Sequence, residues 1–164
     1  MADWTPSGNF LLGQNIDETS TTQKHALGEI VTCKHTTYGV GEFIYLVGVT
    51  GTDAGKVVSF DAATFQTALA SIAAGVPRSV AVAMSANVGS QYGWYQIGGV
   101  AVVDKASATS FAAAAPLGAT SGLAVTAVTT LRLANAVVQA AASGGSAVTS
   151  VNVAINRPAG PSSD

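Results

Sequence analysis

Residues 90–103, SQYGWYQIGGVAVV, hold two tyrosines, a tryptophan and three glycines without a single charge. In an extended chain Tyr92, Trp94, Val100 and Val102 share one face, and Tyr95, Ile97, Ala101 and Val103 share the other. Both faces are therefore apolar, with Gln96 as the polar interruption. One face can line the core of a barrel or sandwich. The other must be covered by a loop, a helix or another subunit. Gly93, Gly98 and Gly99 bring no side chain to pack and mark a bulge, a bend or a close backbone approach. The stretch EFIYLVGV (42–49) has the same two-faced pattern, with Phe43, Tyr45 and Val47 against Ile44 and Leu46. Phe43, Tyr45, Tyr92, Trp94, Tyr95 and Ile97 are accordingly expected in the core or at an oligomer interface.

The remaining chain reads mainly as short strands. EIVTC (29–33) and KVVSF (56–60) are rich in β-branched residues, with turn composition at Gly39, Gly41 and TGTDAG (50–55). SVAVAM (79–84) alternates large and small residues, and Val151, Val153 and Ile155 alternate with Ser150, Asn152 and Ala154. Two segments are ambiguous by periodicity. In 61–75, Asp61 can cap a short helix carrying Phe65, Leu69 and Ile72, with Gly75 as its stop. The segment 129–145 can be read either way, and its strand-rich surroundings favour strand. The expectation is an all-β fold, a compact antiparallel barrel or sandwich with one possible short helix.

Three regions follow from this pattern: an extended N-terminal arm (1–28), a β domain (29–156) and a loose Pro/Gly/Ser tail (157–164). The arm is largely polar, with scattered apolar residues at Trp4, Phe10, Leu11, Leu12 and Ile16 that would anchor it on a partner. A frayed terminus is the competing reading.

Composition narrows the function classes. Charged residues make up 10% of the chain and the net charge is −2, which offers no basic face for nucleic acid. A surface rich in Ala, Ser, Thr and Gly is easily desolvated, which favours burial against other subunits. The single cysteine, Cys33, cannot form an internal disulfide, and MADWTPSGNF lacks the basic and apolar regions of a signal peptide. No apolar run approaches the ~18 residues of a membrane helix. Synthesis in a cytoplasm and a soluble life are expected.

The motifs of chemistry are mostly missing. GTDAGKV (51–57) is one residue short of a phosphate loop and carries Val57 where a hydroxyl belongs. His25, Cys33 and His35 have no second pair to complete a zinc site. Carboxylates fall singly, and no nucleophile elbow occurs. No catalytic residue, metal or cofactor is expected. Tyr92, Trp94 and Tyr95 could form a platform for a sugar, although core or interface explains them better.

The order AGKVVSF (54–60), VPRSVAVA (76–83), YGWYQ (92–96) and GGVAVV (98–103) resembles the small capsid decoration, or cement, proteins of tailed bacteriophages. In that group A-G-D-V-V, P-V-G-V-A and Y-G-W-V-Q follow one another. The likeness spans roughly residues 28–105. Lys56 stands where the group has an acidic residue, and Arg78-Ser79 where it has Val-Gly. The resemblance implies a compact, oligomeric β domain on the outside of the virion, bridging neighbouring copies of the major capsid protein. A trimer is favoured, with a dimer as the alternative. A tail, vertex or head-fibre part and a carbohydrate-binding module are the other readings.

Overall fold

The computed structural model describes residues 4–7, 13–71, 78–127, 132–145, 147 and 149–160. They are all-β, with no helix among them. The first elements are β1 (Thr5–Pro6), β2 (Thr19–Ser20), β3 (Ile30–His35) and β4 (Gly39–Val47). Next come β5 (Val57–Phe60), β6 (Thr67–Leu69), β7 (Ser79–Ala83) and the 13-residue β8 (Tyr92–Asp104). The last four are β9 (Leu117–Thr120), β10 (Leu123–Thr126), β11 (Ala134–Val138) and β12 (Ser150–Ala159).

Ten of these strands form one antiparallel sheet, whose main path runs β1-β3-β4-β8-β12-β7-β5-β6. β9 and β10 form a separate hairpin. The large sheet folds over itself as a sandwich and does not close into a barrel. The fold-over is made on β8. Its first half pairs with β4 from Tyr92 to Gly98, and its second half pairs with β12 from Gly98 to Asp104. Tyr95 pairs with both Ile44 and Ala83, so β7 takes the edge opposite β4. The change of partner falls at Gly98-Gly99, opposite a bulge between Glu42 and Phe43. Gly99 has φ +92°, and a methyl there would overlap the Val40 carbonyl oxygen. Only glycine fits this bend.

Three apolar clusters result. Tyr95 and Ile97 pack with Ile44, Leu46, Val58 and Phe60. Beyond the bend, Ala101 and Val103 enter the largest cluster, with Val57, Phe111, Leu117, Val138 and Val153. On the opposite face of β8, Trp94 packs with Trp4, Ile16, Cys33, Phe43 and Tyr45.

Three expectations are corrected. Residues 61–71 form no helix. The Asp61 carboxylate accepts the backbone N–H groups of Ala63 and Thr64, which closes a turn, and Phe65 then adopts φ 56°. A left-handed residue cannot continue a right-handed helix, and the chain turns into β6 against β5. Residues 72–75 of that segment lie outside the described residues.

The N-terminal region is not an extended arm where it is described. β1 pairs with β3 and β2 pairs with β8, so residues 4–7 and 13–28 belong to the domain. The C-terminal tail starts later than the composition implies. β12 runs through Arg157 and Pro158 to Ala159, and the Gly160 N–H donates to the Arg78 carbonyl.

Candidate docking surface

The cover over Trp94 is built from the chain's own N-terminus. Trp94, Tyr45 and Phe43 are 0% exposed. The Trp94 indole N–H donates to the Gln14 carbonyl at 3.0 Å, and the Tyr45 hydroxyl donates to Gln14 Oε1 at 2.7 Å. Gln14 Nε2 in turn donates to the carbonyls of Glu18 and Tyr92. One buried glutamine thus ties the covering segment to β4 and β8 together. Burial raises the Tyr45 phenol above its ordinary value, so the hydroxyl stays a donor.

A prediction follows at Gln14. Gln14→Ala leaves the buried Tyr45 hydroxyl without its acceptor, and should cost about 2–3 kcal/mol in urea unfolding. In Tyr45→Phe the same change should cost distinctly less, because the group it serves is already gone. Equal losses in both backgrounds would refute the link.

The expected anchors are placed as follows. Trp4 and Ile16 are buried in the chain's own core and are not available to grip a partner. Phe10, Leu11 and Leu12 lie outside the described residues. Phe43, Tyr45, Trp94, Tyr95 and Ile97 are core side chains, and Tyr92 is half-buried beside them. Trp94 and Tyr95 therefore offer no exposed platform for a sugar ring. Tyr95 is sealed in so far that burial pushes its phenol up to about 12, against the opposing pull of the Thr67 and Asn87 side chains. Cys33 is fully buried, and burial pushes its thiol up to about 11, so it is an inert core residue. The His35 ring lies between Trp4 and Tyr38, and its Nδ1 accepts the backbone N–H groups of Thr37 and Tyr38.

Among the described residues, the N-terminal cover stops short of the second half of β8. Past Gln96 the same face of β8 carries Val100 and Val102, which floor an open groove of about 520 Å³. Trp4, Tyr38, Met84, Asp17 and Asp104 are also among its lining residues. The floor continues outward as a sheet face. Val100 pairs with Ala154 and Ala154 with Val137, so these three lie in one row across β8, β12 and β11. Val102 is 37% exposed and Val137 43%, and Asn152 and Asn156 flank the row. None of these side chains is charged.

Nothing in the sequence singled out Gln14, a polar residue in a polar stretch. The open face did have a signal: Val100 and Val102 share their side of β8 with Trp94, and that side needed more cover than the described residues supply.

Asp104 lies on the same side of β8 as Val100 and Val102 and lines the groove. Lys56 Nζ lies 4.0 Å from its carboxylate. Burial nonetheless raises the Asp104 carboxyl above its ordinary value, with Asp53 adding to the rise and Lys56 opposing it. A raised folded value means that the contribution to stability is complete below about pH 3.8 and is lost as pH climbs through the folded value. Asp104→Asn is therefore expected to exceed the parent protein in urea midpoint at pH 7, the gap closing near pH 3. A lower midpoint at pH 7 would show that the Lys56 pair outweighs burial.

No protein-family model matches the chain, and no curated protein matches it significantly.

Proposed function

We propose that the protein is a structural component of a tailed-bacteriophage particle, decorating the outside of the capsid and tying neighbouring copies of the major capsid protein together. The observation that carries this reading is the uncharged row of Val100, Ala154 and Val137 across β8, β12 and β11, with Val102 beside it: Val102 and Val137 are exposed, and Val100 and Ala154 are half-buried. A face without charges is cheap to dehydrate, and an interface core is depleted in charge for the same reason. Beneath it, Ala101, Val103, Val151 and Val153 are buried in the largest apolar cluster. The motifs at 54–60, 76–83, 92–96 and 98–103 supply the likeness to cement proteins.

Decoration of this kind requires no catalysis, cofactor or metal. Its strength comes from many modest contacts made at once. The protein acts as an oligomer, a trimer at local three-fold positions or else a dimer across two-folds, and resides on the virion surface after synthesis in the host cytoplasm. Nucleic acid and membrane are not partners in this reading. A chain of net charge −2 gains little from phosphate contacts, and no helix among the described residues is long and apolar enough to cross a membrane.

Co-sedimentation with mature, DNA-free shells tests the reading. The full chain should pellet with shells and saturate at a fixed ratio, and Val102→Glu together with Val137→Glu should abolish pelleting while the protein stays folded. Both are exposed positions where a charge is tolerated by the fold. Undiminished binding of the double variant would remove this face from the account.

A further inference from the structure

We propose that the groove over Val100 and Val102 is a docking site for an arginine side chain carried on an extended apolar segment of a partner protein. On the reading above, which this inference rests on, the segment belongs to the major capsid protein. Three features select that occupant. The floor of Val100, Val102 and Met84 is apolar and takes aliphatic side chains. The lining includes aromatic rings, Trp4 and Tyr38, and the His35 ring lies between these two at centroid separations of 5.0 and 4.7 Å. The lining is also acidic, with Asp17 and Asp104 in it and Asp53 close enough to Asp104 to disfavour its charge.

No lysine or arginine lines the groove among the described residues. Lys56, beside Asp104, offsets one of the three carboxylates. An incoming cation thus meets unbalanced negative charge in a partly desolvated setting, where such charge is felt strongly. Arginine suits it better than lysine, because a planar guanidinium can stack on the half-buried Tyr38 while presenting its fork to a carboxylate. A free cation would leave the valine floor wet. The flanking apolar residues of a peptide cover it, so a segment fits better than a small amine. The site begins where the described part of the N-terminal cover ends, and the occupant would extend the shielding that Trp94 already has.

The test uses the full chain, labelled with nitrogen-15, and the peptide acetyl-Gly-Val-Arg-Val-Gly amide, with citrulline and lysine counterparts. Resonance shifts should gather at the Trp4 indole N–H, Val100, Val102 and Asp104. The citrulline peptide, equal in shape but neutral, should bind at least about tenfold more weakly, with lysine between. Asp17→Asn with Asp104→Asn should weaken the arginine peptide by about tenfold or more, with dispersed spectra showing that the fold is kept. Shifts elsewhere, equal binding of arginine and citrulline, or no shifts up to about 5 mM peptide would overturn the proposal.

Shell co-sedimentation of the same double variant separates the two readings. Loss of pelleting supports the groove as the shell contact, and full retention overturns it. If the parent chain ignores shells yet takes the arginine peptide in the groove, the decoration reading fails and the site itself stands.

Discussion

Without residues 1–18 the protein loses its cooperative thermal transition. Trp4 and Ile16 leave the core with that deletion, and the Gln14 partners of Trp94 and Tyr45 go with them. Each large side chain returned to water costs about 1.5–3 kcal/mol. Losing Trp4 and Ile16 and baring one face each of Tyr45 and Trp94 removes about 6 kcal/mol or more, against a total stability of about 5–15 kcal/mol for a domain. Calorimetry and near-ultraviolet circular dichroism measure this, the latter because the tryptophan environment is what changes. The expected result is a flat trace, or a melting point lowered by tens of degrees, with a collapsed aromatic signal. A cooperative melt within a few degrees of the full chain would show that the N-terminus is a detachable arm after all. The result also governs functional work, since a truncation that unfolds cannot report on shell binding.

The second large effect is at the bend of β8. Gly99→Ala places a side chain at φ +92° and drives its methyl into the Val40 carbonyl. The left-handed backbone costs about 1–2 kcal/mol and the overlap a further 1–3, so a loss of about 3 kcal/mol is expected. Gly39→Ala is the matched control. Its φ is +73°, but nothing lies within 4 Å of the added methyl. That change should cost only the backbone part, about 1 kcal/mol. Urea titrations of the two variants decide the matter. Equal losses would mean that the approach of Val40 to Gly99 does not hold the sheet's fold-over in place.

Much of the strand pattern was legible because the side chains that make a strand also show it. Alternation in 79–84 and 150–155 and the β-branched run at 57–60 announce β7, β12 and β5. The two apolar faces of β8 announced that something must cover them. What could not be read was the identity of the cover. The segment 13–28 does its packing through a few widely spaced residues, Gln14 and Ile16 chief among them, while Thr19, Thr21, Thr22 and Gln23 face water. On composition such a segment is indistinguishable from a loose terminus.

The expected helix failed for a related reason. Phe65 and Leu69 are four apart, which is helical spacing, yet they reach the same cluster from a turn and a strand. A single left-handed residue at Phe65 reroutes the chain, and no side-chain pattern encodes it. The tail was misjudged because Pro158 argues against a strand. At the end of β12 it is tolerated, and Ala159 goes on to pair with Ser79 and Ala134.

The candidate surface was half visible. Val100 and Val102 could be assigned to the side of β8 that needed cover. That the described cover would stop at Gln96, leaving a groove lined by aromatic rings and two carboxylates, depends on how the chain folds over β8 and has no signature in the side-chain pattern.

The central claim is that this chain is a repeated part of a viral shell. Quantitative mass spectrometry of purified virus particles from the source tests it most directly, by the ratio of this chain to the major shell protein. One copy per shell subunit, or a simple fraction of one, is the predicted result. A handful of copies per particle would move the protein to a vertex or tail, and absence from the particle would contradict the account outright.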